Sequence, residues 1–128
     1  MQVRDYQTWL QAYDVARGWD KITPSHTFLH LAEELGEVGR EVQYFEGYRD
    51  AQDAGDLHAN MAEELADCAT FLFKLAYLCG VDLEDALRGN MVKAENRSSV
   101  EAGQADTERY LAHQAEMLAQ IQNKQQDE

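Results

Sequence analysis

The sequence predicts an all-α fold, a bundle of four to five helices that oligomerises through helix packing, in a chain of 128 residues. Apolar residues recur every three or four positions along most of the chain, as on one face of a helix. No segment shows the sustained alternation of apolar and polar residues that a half-buried strand requires. A single proline interrupts the chain, which leaves room for long helices.

The first helix is predicted over residues 3–17, with Gly18 just beyond its end. The second helix begins near Thr23 or Ser25, where Pro24 suits a first-turn position, and runs to about Phe45. Its apolar residues form a stripe that we expect to be buried: Phe28, Leu31, Leu35, Val38, Val42 and Phe45.

Residues 47–56 have the composition of a loop. A third helix is predicted over residues 57–79, apolar almost all round and therefore central. A fourth helix begins after Asp82, a plausible cap, and extends to about Arg97. We expect residues 97–106 to link it to a last amphipathic stretch. Residues 1–100 then form the functional domain, and residues 101–128 form a C-terminal amphipathic helix with a frayed polar tail.

The charge of the chain excludes several partners. Its 24 acidic and 11 basic residues give a net charge of −13, which argues against nucleic acid or an anionic membrane as the main partner. A phosphate-containing ligand would therefore need a cation to mediate its binding. No apolar run is long enough to predict a membrane span. Cys68 and Cys79 lie roughly 16 Å apart in one predicted helix, too far to pair, and this favours the cytoplasm.

Carboxylates border the apolar stripes of two successive helices. Glu34, Glu37 and Glu41 lie beside the stripe of the second helix. Glu64 and Asp67 lie beside that of the third. Apart from Arg40 near Glu37, no lysine or arginine stands three or four positions from any of them. Ordinary intrahelical ion pairs therefore do not neutralise these acids.

A divalent cation would remove the repulsion if the two helices pack side by side. Oxygen ligands favour Mg²⁺, with Mn²⁺ possible, and the absence of ExxH spacing argues against a di-iron bundle. The alternative is that an acid-rich helical protein places EExxE and ExxD on solvated faces by chance.

These residues resemble the MazG-like all-α nucleoside triphosphate pyrophosphohydrolases, whose hallmark is EExxE followed along the chain by ExxD. EELGE spans residues 33–37 here and ELAD spans residues 64–67, while VKAENR at 92–97 resembles the basic motif of the family. The resemblance implies Mg²⁺-dependent cleavage of nucleotides between the α and β phosphates, to a monophosphate and pyrophosphate. The role it implies is nucleotide-pool housekeeping. It also implies a homodimer or a dimer of dimers.

The resemblance assigns roles to five acids. It makes Glu33 a supporting ligand or the base that orients the attacking water. It also implies four metal ligands: Glu34, Glu37, Glu64 and Asp67.

Asn90, Lys93 and Arg97 share one face of the fourth helix and are candidates for binding the β and γ phosphates. Cations also favour a helix C-terminus for dipole reasons alone. His30 is the candidate for stacking on the base, although aromatic rings at such positions are more often packing residues.

Two other functions stay open on the sequence alone. The chain could be a helical oligomerisation module that keeps only the scaffold, or a divalent-ion-binding module without catalysis. The preferred base and sugar cannot be predicted, because the base pocket depends on loops and on a neighbouring subunit.

Overall fold

The computed structural model describes residues 1–126, apart from the side chains of residues 53, 125 and 126. Over that range the chain forms five helices and no strand, which confirms the all-α prediction. The helices are α1 (Val3–Val15), α2 (Pro24–Phe45), α3 (Leu57–Leu78), α4 (Leu83–Arg97) and α5 (Val100–Gln126). Short 3-10 turns occupy Trp19–Lys21 and Ala51–Asp53. None of the described helices combines the length and apolar character that crossing a membrane requires.

The chain divides into two compact units, Met1–Ala86 and Leu87–Glu128. The first unit contains α1 to α3, and it holds the carboxylates of both acidic motifs. The second unit contains most of α4 and all of α5.

Side-chain caps fix where the two long helices of the first unit begin. The Thr23 hydroxyl accepts a hydrogen bond from the backbone N–H of His26 at 3.3 Å, and Pro24 occupies the first turn, as the sequence predicts. The carboxylate of Asp56 accepts hydrogen bonds from two backbone N–H groups of α3, at 3.0 and 3.1 Å. These caps set the register in which α2 and α3 present their side chains.

Helices α2 and α3 pack against each other as an antiparallel hairpin. The ring of His30 stacks on Phe71 at 5.3 Å between centroids, and Phe45 at the other end of α2 meets His58 at 5.3 Å. Early residues of α2 therefore face late residues of α3. In this register Glu37 on α2 lies opposite Glu64 on α3.

The face that α2 turns inward mixes polar and apolar residues, and this corrects part of the predicted burial. Leu31 and Val38 are half-buried as expected, whereas the other four apolar residues are exposed. The fully buried residues of α2 are Thr27 and Glu41, one on each side of half-buried Glu34 at intervals of seven. The adjacent positions are exposed and define the apolar stripe of α2: Phe28 at 56%, Leu35 at 56% and Val42 at 39%. The helical wheel places the acids and the apolar residues on neighbouring faces, as predicted, but Glu34 and Glu41 share the inward face with Leu31 and Val38.

Helix α1 is joined to α3 by a buried ion pair. The Lys74 ammonium lies 3.0 Å from the Asp14 carboxylate, and the hydroxyl of Tyr77 donates to the same oxygen at 2.5 Å. The side chains of Asp14 and Lys74 are 4% and 8% exposed. Burial and the Asp14 carboxylate raise the pKa of Tyr77, so its hydroxyl keeps the proton that it donates.

In the second unit the last helix begins earlier than predicted. The predicted link at residues 97–106 is helical from Val100 onward, because the Ser99 hydroxyl accepts from the backbone N–H of Ala102 at 3.1 Å and caps α5. Helix α5 continues through most of the polar tail to Gln126. The last two residues of that tail lie outside the described residues, and its fraying stays a prediction.

Candidate metal centre

Three of the predicted ligands come together between α2 and α3. Glu34, Glu37 and Glu64 each offer a carboxylate oxygen, and these oxygens all lie within 4.8 Å of one another. Glu34 and Glu37 are one helical turn apart on α2, so they share a face, and the antiparallel register brings Glu64 across from α3. We call these three residues the acidic cluster.

The electrostatics of the acidic cluster disfavour the fully ionised state. Burial raises the pKa of Glu34, and the charges of Asp67, Glu37 and Glu33 raise it further. Burial and the hydrogen bond with Glu37 likewise raise the pKa of Glu64. Without a cation, Glu34 and Glu64 therefore hold a proton more readily than an isolated glutamate does.

The thiol of Cys68 lies beside the acidic cluster. Burial raises its pKa, and the charges of Glu34, Glu64 and Asp67 raise it further. A thiol held in its protonated form is a poor metal ligand and a poor nucleophile. The donors that the site offers a metal are therefore carboxylate oxygens.

The size and chemistry of the acidic cluster suit a small divalent cation. Oxygens on opposite sides of an octahedral Mg²⁺ ion lie about 4.2 Å apart, since each bond measures about 2.1 Å. The 4.8 Å limit on the cluster oxygens exceeds this by a few tenths of an ångström, which a side-chain rotation covers. Carboxylate donors are also the ones that Mg²⁺ and Mn²⁺ prefer.

Asp67 and Glu33, the other two acids of the motifs, lie at the margin of the acidic cluster. Asp67 is exposed and is not one of the three clustered residues, but its charge raises the pKa of Glu34, so it lies close to them. Glu33 is 73% exposed, and its carboxylate lies 3.2 Å from Nδ1 of His30. The ring of His30 stacks on Phe71 and also meets the ring of His26 edge-on, at 4.8 Å between centroids, so it packs against two aromatic rings of its own chain.

Asn90, Lys93 and Arg97 are exposed on the part of α4 that belongs to the second unit. Their spacing keeps them on one face of the helix, as expected. Their assignment to the phosphates stays a prediction.

Sequence reasoning missed the roles of Arg40 and Glu41. The guanidinium of Arg40 approaches Glu64 through Nη2, at 3.9 Å, and Glu41 through Nε, at 3.7 Å. Glu41 is buried, and its Oε2 has no hydrogen-bond partner. The sequence signal was available, since Arg40 lies within one turn of Glu37 and helical spacing places Glu41 in the same acidic band as Glu34, but spacing does not show that Arg40 reaches across to Glu64.

Comparisons with known proteins show which family this chain resembles. The family model described as the MazG nucleotide pyrophosphohydrolase domain matches residues 22–100, which include both acidic motifs. An uncharacterised protein of Bacillus subtilis (strain 168), YvdC, is 30% identical over 102 residues. That match covers 76% of this chain and 96% of the relative.

Proposed function

Because the chain belongs to the MazG nucleotide pyrophosphohydrolase family, we propose that it hydrolyses nucleoside triphosphates, ribo or deoxy, between the α and β phosphates. The products are a nucleoside monophosphate and pyrophosphate. The observation that carries the proposal is the acidic cluster, three carboxylates within 4.8 Å, in which burial and then the neighbouring carboxylates raise the pKa values of Glu34 and Glu64. Repulsion between carboxylates is what a bound cation relieves.

The proposed ligands of Mg²⁺ are Glu34, Glu37 and Glu64, with Asp67 completing the set from the margin. Mn²⁺ would suit the same oxygens. When bound, the metal neutralises phosphate charge and polarises the phosphoryl oxygens. The half-buried position of Glu34 and Glu64 keeps their carboxylates in a medium where they attract a cation more strongly than in bulk water.

Glu33 is the proposed general base. Its exposed carboxylate is adjacent in sequence to Glu34 and can accept the proton of the attacking water. His30, 3.2 Å from Glu33, orients that carboxylate, and its half-exposed ring is the proposed contact for the base of the substrate. No covalent nucleophile is needed, because the water attacks phosphorus directly.

Residues 1–100 form the proposed catalytic domain, with residues 101–128 as an appended helix. Asn90, Lys93 and Arg97 offer one amide and two cations to the β and γ phosphates. The site acts in the cytoplasm, where the free thiols of Cys68 and Cys79 would stay reduced, and its role is to remove unwanted triphosphates from the nucleotide pool.

The proposed assembly is a homodimer or a dimer of dimers. The support is the apolar stripe of α2, which a single chain leaves exposed, together with Leu65 at 52% and Leu72 at 47% on α3. Leu10 and Ala76 are the buried apolar residues among those described. A second copy packed on these helices would bury the apolar area that one chain leaves in water.

A panel of ribo- and deoxynucleoside triphosphates tests the activity, with pyrophosphate release measured in Mg²⁺ and in EDTA. Glu34→Gln and Asp67→Asn should abolish turnover while helicity is kept. Glu63→Gln is the matched control, because Glu63 is an exposed acid of α3 outside the acidic cluster.

Full activity in the Glu34 or Asp67 variant would remove the site assignment. No pyrophosphate from any nucleotide, with Mg²⁺ still raising the melting temperature, would indicate the alternative of an ion-binding module. No response to Mg²⁺ at all would leave the scaffold module.

A further inference from the structure

The positively charged side chain of Arg40 lies at the edge of the acidic cluster and is neither a metal ligand nor the general base. Nη2 of Arg40 lies 3.9 Å from the Glu64 carboxylate, yet the side chain is 47% exposed and open to a ligand. Both of its carboxylate contacts are longer than the 2.7–2.9 Å or so of a charge-assisted hydrogen bond. The guanidinium therefore retains N–H donors that neither carboxylate engages.

Glu41 supplies the second observation. Its side chain is 5% exposed, Oε1 lies 3.7 Å from Nε of Arg40, and Oε2 has no hydrogen-bond partner. Burying a carboxylate in this way is expensive, and an apolar side chain would fill the position at lower cost. The buried charge has a purpose if it fixes the guanidinium of Arg40 beside the site.

We propose that Arg40 binds the phosphate chain of the substrate, and that buried Glu41 holds the guanidinium at the edge of the acidic cluster. The ligand class is a polyphosphate that arrives with a divalent cation. This proposal rests on the proposed function, and it adds a phosphate-binding side chain from the first unit that lies outside both acidic motifs and the basic motif.

The difference between the site with a bound cation and the site without one supports this role for Arg40. With a cation bound, Glu64 would interact less with Arg40, and Nη2 would give up its 3.9 Å contact and be available to a phosphate oxygen. A guanidinium matches the geometry of phosphate oxygens and stays charged at any physiological pH. Glu41 continues to attract Nε, because its carboxylate is buried and water screens the attraction only weakly.

Isothermal titration calorimetry separates this role from simple charge neutralisation. Two titrations are made on the full chain, one with Mg²⁺ alone and one with inorganic tripolyphosphate in saturating Mg²⁺. Arg40→Gln should weaken tripolyphosphate binding at least about tenfold, the loss of a charged hydrogen bond. The same variant should bind Mg²⁺ alone about two- to tenfold more tightly, because a neighbouring positive charge is gone. Arg40→Lys should recover part of the tripolyphosphate affinity.

Controls and a double-mutant cycle complete the test. Arg49→Gln removes an equal charge from a side chain bonded to Gln43 and should change neither affinity. Glu41→Gln should weaken tripolyphosphate binding less than Arg40→Gln does, and the double variant should bind like Arg40→Gln alone. Circular dichroism verifies that each variant is folded.

Two results would overturn the proposal. If Arg40 only neutralises the carboxylates, Arg40→Gln strengthens the binding of Mg²⁺ and of tripolyphosphate together. If Arg40→Gln and Arg49→Gln bind tripolyphosphate equally, Arg40 has no part in phosphate binding. The proposed function fails separately, when no nucleotide yields pyrophosphate in the panel above, so the two failures are distinguishable.

Discussion

Replacing Asp14 with alanine should lower the free energy of unfolding by about 3–5 kcal/mol, the usual cost of breaking a buried ion pair. The substitution leaves the Lys74 ammonium, 8% exposed, without the carboxylate that lies 3.0 Å away. It also removes the acceptor of the Tyr77 hydroxyl, which lies 2.5 Å from the same oxygen. Both orphaned groups would be on α3, the helix that also carries Glu64.

The loss corresponds to a large shift in melting temperature. For a unit of this size each kcal/mol moves the melting temperature by about 4–8 °C, so a fall of about 12–40 °C is expected. Urea unfolding followed by circular dichroism gives the free energy directly. It is measured in EDTA and at one fixed protein concentration, because bound metal and self-association both add stability.

A double variant separates the charge effect from loss of packing. Asp14→Leu with Lys74→Met replaces the pair by apolar side chains of similar size, and should recover most of the stability, as buried pairs exchanged for apolar residues commonly do. Glu63→Ala, an exposed acid on α3, should change stability by less than about 0.5 kcal/mol. The prediction is wrong if Asp14→Ala lowers the free energy of unfolding by less than about 1 kcal/mol, or if the double variant is no more stable than Asp14→Ala.

Three further predictions concern the metal site and the exposed helix faces. Mg²⁺ at a hundred times its dissociation constant should stabilise the protein by about 2.7 kcal/mol in thermal melts. Glu34→Gln should lose that response. An equal response in the variant would contradict the ligand assignment. In EDTA, the raised pKa of Glu64 gives stability that is present below about pH 4.5, its ordinary value, and lost as pH rises through the folded-state pKa. Glu64→Gln should therefore melt higher than the natural protein at pH 7.5 and lose that advantage at pH 4.5, and an advantage that persisted at pH 4.5 would show that the repulsion is not its cause. Leu65→Asp should shift the protein toward monomer in sedimentation velocity, because it places a charge on an exposed apolar position of α3, and an unchanged distribution would exclude that face as the contact.

The sequence predicts the local structure of this protein well because local signals decide it. Thr23 and Pro24 mark the start of α2, and the structure begins the helix there. The spacing of Glu34 and Glu37 predicts that they share a helix face, which follows from the helical period alone. Their meeting with Glu64 also needs the hairpin register and the way the two helices face each other, and helical spacing alone does not give either.

What the sequence could not predict is which face of each helix meets its neighbour. A helical wheel gives the angle between the acidic and apolar stripes, but burial depends on partners distant in sequence, including other chains. The burial of Glu41 and the exposure of Leu35 are both of this kind. The pairing of Asp14 with Lys74 likewise joins residues far apart in the chain, and only the lysine within a long apolar helix hinted at it.

The apolar stripe of α2 has a practical consequence for anyone who handles the protein at low concentration. Phe28 and Leu35 are each 56% exposed, on the helix that also carries Glu34 and Glu37. If a second copy covers them, dilution dissociates that contact by mass action. Helix α2 then loses packing that would help to hold its carboxylates in position. Specific activity should then fall on dilution toward the nanomolar range and return on concentration, and rate constants from very dilute samples would describe a different species from the one that works in concentrated solution.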